Sequence, residues 1–243
     1  RSNIAILKNL ENSKIGVSEK DRKKIVNNMW GNYGRIFAEY IFIKKYRQDI
    51  NTKNIQVIGQ EILDKIKLDK EPVIFVSGHF NNFELMAMHI EKFGIDLAAI
   101  YRPLNNVFLN PIMEDIRKKY ICKNQIKKGI SGTKEILKCF KNNISIALMI
   151  DQRVSEGIKC RFFNEEALTT TIPAQFVKKF EAQIVPIYIE RMNTNNFKLK
   201  IYDPLKFSKK DTIENITLKL NEILEEMILK NPDQWIWTHN RWK

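Results

Sequence analysis

With 243 residues, 44% of them hydrophobic, the chain is long enough to bury one substantial core. Its 41 Lys and Arg against 28 Asp and Glu leave a net charge of +13, which favours an anionic partner: nucleic acid, acidic lipid, or an acidic protein or substrate. No apolar run approaches the roughly 18 residues needed to span a bilayer, and Cys122, Cys139 and Cys160 form no CxxC pair and have no histidine at ligand spacing. Neither a zinc site nor a disulfide framework is indicated, a reducing cytoplasmic setting fits, and no metal or cofactor is expected. The sequence opens on Arg1 rather than Met, which is compatible with a removed N-terminal anchor or targeting segment.

Ser18-Glu19-Lys20-Asp21 has capping-box spacing, and Ile25, Met29, Tyr33, Ile36, Phe37, Tyr40 and Ile41 then recur every three or four residues. The pattern predicts an amphipathic helix from 18 to about 45, whose aromatic stripe suits a core, a membrane-facing surface or a groove for an apolar chain. From Pro72 the pattern changes to short β-branched runs separated by helical ones. Strands are predicted over 73–77, 97–101, 145–150, 184–190 and 198–202, and helices over 82–93, 108–120, 133–141, 173–180 and 212–229, with Pro173 suited to a first helical turn. The expected fold is a single-domain α/β protein: a mixed, largely parallel sheet flanked by helices over 72–243, with 1–71 as a helical segment packed on it. Ligands in such sheets bind at the carboxyl ends of strands. Gly78-His79-Phe80, Tyr101-Arg102-Pro103 and Asp151-Gln152-Arg153 all fall there.

A base of near-neutral pKa must be His79, His89 or His239, the chain's three histidines. His79 follows a buried-type strand and Gly78, which permits a sharp turn, and precedes a helix signalled by Asn81 and Asn82. Glu84 falls in that helix's first turn, where the dipole favours a carboxylate. On a continuous helix the two side chains would stand about 140° apart, so contact requires His79 to fold back over the helix N-terminus. Glu84 would then fix the tautomer and leave the other ring nitrogen to take a proton from a hydroxyl. A capping Glu beside a satisfied, partly buried His is the plainer reading of the same spacing. His89, inside the helix, and His239, in an aromatic, basic tail, read as packing or surface residues. No GxSxG, Gly-rich phosphate loop or HExxH is present, which removes support for serine hydrolysis, nucleotide use and zinc proteolysis.

The stretch SGHFNNFEL resembles the hallmark of the bacterial lipid A biosynthesis acyltransferases, a His and a Glu separated by four residues in a GHFGNWEL-like segment. YRPLNN, DQRVSEGIKCRFFNEEALTTT and NPDQWIWTHNRWK resemble that family's later segments, in the same order. Asn81, Asn164, Phe83 and Asn240 depart from the Gly, Gly, Trp and Arg usual there. The resemblance implies a glycerolipid-acyltransferase-like fold and direct transfer of a fatty acyl chain from a thioester, carried by acyl carrier protein, to a hydroxyl of an anionic glycolipid, a lipid A precursor. It gives His79 as base, Glu84 as its orienting partner, Arg102 as a phosphate ligand, and Asp151, Thr169 and Thr170 as residues lining or supporting the pocket. For Arg102 a surface salt bridge and for the threonines a helix-start turn remain equally open. The basic run over 117–129 suits either the acidic carrier or lipid phosphates, or is an ordinary solvated helix face.

A coenzyme A donor with another lipid acceptor is the alternative. Nucleic acid is not expected, because the basic residues are dispersed and no binding motif appears. The resemblance also implies residence at the cytoplasmic face of the bacterial inner membrane, peripheral for these residues, since the family's hydrophobic N-terminal anchor is absent from them. In the C-terminal segment, Trp235, Trp237 and Trp242 interleaved with His239, Arg241 and Lys243 suggest an additional membrane contact.

Overall fold

Strands and helices alternate because apolar residues occur first in short β-branched runs and then at helical spacing. The computed structural model describes residues 2–48 and 54–242. Its elements are α1 (Ser2–Asn12), α2 (Glu19–Glu39), α3 (Ile43–Gln48), β1 (Ile55–Ile58), α4 (Gln60–Asp69), β2 (Ile74–Ser77), α5 (Glu84–Lys92), β3 (Leu97–Tyr101) and α6 (Leu109–Tyr120). Then come β4 (Asn124–Lys127), α7 (Ile130–Lys141), β5 (Ser145–Met149), β6 (Ile158–Phe162), β7 (Glu165–Thr169), α8 (Ile172–Phe180), β8 (Ile184–Arg191), β9 (Phe197–Ile201) and α9 (Ile213–Lys230).

Seven strands form one sheet in the order β1-β9-β8-β2-β5-β3-β4. The run from β8 to β4 is parallel, β9 is antiparallel to β8, and β1 is parallel to β9. The sheet is therefore mixed and largely parallel, as expected. Every residue of β2 is buried, which is why this strand is uniformly apolar up to Ser77. The core runs from Ile6, Leu10 and Met29 through the central strands to Trp235 and Trp237. Each fully buried Leu or Ile there is worth about 1.5–3 kcal/mol over leaving it in water.

The N-terminal segment is helical, but it also supplies β1, whose Ile55 and Val57 sit opposite Phe197 and Leu199 of β9. The helix begins as predicted, with Ser18 Oγ accepting from the Asp21 N–H at 3.2 Å. It does not run unbroken to Lys45, because Tyr40–Phe42 form a 3-10 turn between α2 and α3. The basic run over 117–129 is not one helix face either, since it crosses from the end of α6 into the edge strand β4. β6 and β7 make a hairpin whose two connecting residues, Phe163 and Asn164, both have positive φ (51° and 65°), the signature of a tight hairpin turn.

The tail departs from the expectation of a membrane-contacting arm. Trp235 and Trp237 are 2% and 0% exposed. Their indole N–H groups donate inside the protein, to Asp151 Oδ2 at 2.9 Å and to the Pro232 carbonyl at 2.6 Å. Trp242 stacks on Phe162 and donates to its carbonyl at 3.0 Å. Arg241 is wholly buried, and burial pushes its pKa down to about 10. With Trp235 and Trp237 covered, Trp242 partly so, and all three N–H groups satisfied, these tryptophans pack into or against the core. Lys243 lies outside the described residues.

Candidate active site

Three neighbouring strands deliver the candidate residues. β2 and β5 pair with Ser77 opposite Met149, and β5 pairs on its other side with β3. The chain leaves β2 into Gly78-His79, β5 into Asp151-Gln152 and β3 into Arg102, so parts distant in sequence converge at one end of the sheet. Gly78 is required by this convergence: a Cβ there would stand 2.9 Å from the Phe80 ring and 3.3 Å from Asp151 Cβ. Asn81 then adopts φ 39°, turning the chain into α5. His79 accordingly lies outside the helix, as its position after Gly78 suggested.

The ring of His79 is held by Asp151. Nδ1 is 2.8 Å from Asp151 Oδ1, and the His79 backbone N–H donates to Oδ2 at 2.8 Å. Together with the Trp235 indole these satisfy a carboxylate that is 1% exposed. Burial alone would raise the Asp151 pKa, but the charge and hydrogen bonds of His79, helped by Trp235, outweigh it and hold the group well below the usual carboxylate range. An ionised carboxylate at Nδ1 fixes the proton there and leaves Nε2 as the acceptor.

Glu84 does not fill the orienting position expected of it. Its Oε1 accepts from Arg117 Nε at 2.9 Å and Nη2 at 2.6 Å, and from the Tyr40 hydroxyl. Five residues after His79, Glu84 reaches the site from the first turn of α5, but the bidentate guanidinium from α6 claims it. Asp151, level with His79 on the adjoining strand, takes the imidazole. Burial would lower the Arg117 pKa, yet the charge of Glu84 more than compensates and raises it. Burial and Glu84 together raise that of Tyr40. The Glu84 cluster ties α5 to α6 and to the turn after α2.

His79, Glu84, Arg102, Arg117, Gln152 and His239 line one cavity of about 280 Å³. Its lining also includes an apolar part, with Ala87 of α5, Ala99 of β3 and Ala147 of β5 among its residues. Thr170 faces this cavity, whereas Thr169 is 1% exposed and accepts from Arg241 Nη2 at 2.7 Å. Thr169 thus anchors the tail that carries His239. His89 is buried elsewhere on α5, with Nε2 lacking a hydrogen-bond partner among the described residues, and burial pushes its pKa down to about 4. Sequence reasoning carried Arg117 only in the basic run over 117–129, Tyr40 only in the aromatic stripe and Gln152 only in a strand-end tripeptide, and read His239 as a packing or surface residue; its resemblance to the family's C-terminal segment was the available signal. Among the described residues no group of three or more His, Cys, Asp and Glu side chains could hold a metal ion, and no helix is long and apolar enough to cross a membrane.

An imidazole with Nε2 as acceptor, in a cavity lined by both cationic and apolar side chains, is equipped to deprotonate a hydroxyl beside a bound apolar chain. The chain is 24% identical over 242 residues to the lipid A biosynthesis lauroyltransferase of Escherichia coli strain K12, covering 97% of this chain and 77% of that protein. It is 21% identical over 240 residues to the palmitoleoyltransferase of the same organism, with the same coverage, and 20% identical over 225 residues to its myristoyltransferase, covering 90% of this chain and 68% of the relative. The family model for the bacterial lipid A biosynthesis acyltransferases matches residues 1–243, so the chain belongs to that family of acyltransferases.

Proposed function

We propose that the protein transfers a fatty acyl chain from an acyl thioester, carried by acyl carrier protein, to a hydroxyl of a lipid A precursor, with His79 as general base in a direct attack. The observation that carries this reading is the His79–Asp151 pair, which leaves His79 Nε2 as an acceptor on the cavity. The acceptor oxygen bonds to the thioester carbonyl carbon as its proton passes to Nε2. Collapse of the tetrahedral species breaks the C–S bond, and the departing sulfur takes the proton from Nε2. A thioester is already activated, so a base, positioning and stabilisation of the oxyanion suffice.

Glu84 acts here through Arg117 and Tyr40, holding the cavity wall. Arg102 faces a lipid phosphate and the alanine-lined wall faces the acyl chain. A surface suited to the bilayer is formed by the end of α2 and the turn after it. Phe37, Ile41 and Phe42 are 52%, 80% and 55% exposed, and Ile41 and Phe42 share a groove with Lys44 and Lys45. Tyr40 in the same turn reaches Glu84 at the cavity, so lipid on this surface would lie beside the site.

Radiolabelled acyl-carrier and acyl-coenzyme A thioesters, each offered to a lipid A precursor and to glycerolipid acceptors, test the assignment. Transfer to the lipid A precursor from the carrier thioester, lost in His79→Ala at unchanged thermal stability, is the expected result. Preference for coenzyme A and a glycerolipid would replace both substrates, and near-normal turnover in His79→Ala would move the base elsewhere.

A further inference from the structure

One amide serves both imidazoles at the cavity. Gln152 Nε2 is 2.8 Å from His239 Nε2 and 3.2 Å from His79 Nε2, and the two rings are 5.9 Å apart between centroids. A primary amide has two N–H donors, so it can satisfy both rings only where both Nε2 atoms accept. For His79 this agrees with Nδ1 donating to the ionised Asp151. For His239, burial above all, with the positive charges of Arg102 and Lys128 and against the opposing pull of Asp151, lowers the pKa and favours the neutral ring.

His239 is no loose tail residue. Its carbonyl accepts from Asn9 Nδ2 of α1 at 2.6 Å, and two residues later Arg241 Nη1 and Nη2 donate to the Leu168 carbonyl and Thr169 Oγ1, each at 2.7 Å. The segment is thus pinned on both sides of the ring, more firmly than packing requires of a residue that is itself only half-buried.

We propose that Gln152 and His239 are a positioning pair for acyl transfer: His239 anchors the Gln152 amide, and the amide holds the Nε2 lone pair of His79 in place until the acceptor hydroxyl displaces it. The inference rests on His79 being the base. Anchored to His239, the displaced amide swings aside without leaving the site. Once His79 holds the hydroxyl proton, its Nε2–H no longer matches an amide N–H, and the departing sulfur is the matching acceptor.

The test is steady-state transfer from a carrier thioester by the full chain, with kcat and acceptor KM measured across pH for Gln152→Leu, His239→Ala and His239→Gln. In the free enzyme a donor on Nε2 favours the neutral ring, so its loss should move the acid limb of the kcat/KM profile to higher pH. Asp151, Glu84, Arg102, Arg117 and Lys128, the other charged groups around the two rings, are present in every variant. Gln152→Leu and His239→Ala should each lower kcat by about 10²-fold, the scale of a small misplacement of a reacting group, with little change in KM. His239→Gln, whose carbonyl oxygen can accept the same N–H, should recover most of the rate. An unmoved acid limb in Gln152→Leu overturns the proposal, as does equal loss in both His239 variants with equal loss of thermal stability. With His79→Ala inactive, either result removes only the positioning pair; an active His79→Ala removes the base itself and the pair with it.

Discussion

Asp151→Asn should silence the proposed base without changing the size of any side chain. Oδ2 of Asp151 accepts two donors, the His79 backbone N–H at 2.8 Å and the Trp235 indole at 2.9 Å, while Oδ1 faces His79 Nδ1 at 2.8 Å. Asparagine has one carbonyl oxygen. Placed in the two-donor position, that oxygen satisfies both N–H groups and turns the amide N–H toward Nδ1. Reversing the amide would strand two buried donors, at about 1–3 kcal/mol each. Nδ1 must therefore become an acceptor, and the ring proton moves to Nε2, where the acceptor hydroxyl arrives. A tautomer switch of this kind costs about 10⁴-fold in kcat in a Ser-His-Asp site, or about 5.4 kcal/mol of barrier. The assay is transfer of a radiolabelled acyl chain at saturating acceptor, with circular dichroism and thermal melting to establish the fold. A folded Asp151→Asn enzyme within tenfold of the wild-type kcat would refute the reasoning, because Nδ1 would then owe nothing to the carboxylate.

Glu84→Gln leaves the part-buried Arg117 guanidinium without its counter-charge and should lower stability by about 2–4 kcal/mol, below the range for a fully buried pair, measured by denaturant unfolding; unchanged stability would show that the pair holds nothing together. Arg102→Ala should raise acceptor KM more than it lowers kcat, and the difference should vanish with a dephosphorylated acceptor. Replacing Phe37, Ile41 and Phe42 together by Ser should weaken co-sedimentation with anionic vesicles severalfold, and equal binding by that variant would move the docking surface elsewhere. His89 carries a pH dependence of stability. Its folded value of about 4 lies below its ordinary 6.5, so between those values the unfolded chain binds more protons and stability rises with pH. Each pH unit in that window is worth about 1.4 kcal/mol, so roughly 3 kcal/mol present above pH 6.5 is lost by pH 4. His89→Phe should flatten that part of the stability curve, and an unaltered slope would mean the acid sensitivity resides in other groups.

The elements legible in the sequence were those whose residue types follow from burial alone. Strands β2, β3, β5, β8 and β9 are apolar runs inside the sheet or alternate regularly at its side, and the three unusual tripeptides fall at the ends of β2, β3 and β5. β1, β4, β6 and β7 have only four or five residues each with polar groups interspersed; β1 and β4 owe their strand character to partners elsewhere along the chain, β6 and β7 to each other across a two-residue turn. Two departures from the family pattern also have a backbone explanation. Asn81 and Asn164 stand where glycine is usual, and both have positive φ, 39° and 65°. Asparagine tolerates that region better than most residues with a side chain, so the turns survive the exchange.

The wiring of the site was the least legible part, for a geometric reason. Reading along the chain pairs His79 with Glu84 because a turn and a helix start place them close together. In a parallel sheet, however, the group level with a residue at one strand's end comes from the adjoining strand, here β5, and Asp151 is 72 residues away in sequence. The same adjacency brings Gln152 to His79, and the tail pinned by Asn9 and Thr169 brings His239 to Gln152. Glu84, freed from the imidazole, can hold Arg117 and Tyr40 with Oε1. Two carboxylates near one base thus have separate partners. Asp151→Asn and Glu84→Gln should accordingly fail differently, the first in the protonation state of the base and the second in the wall that shapes the cavity.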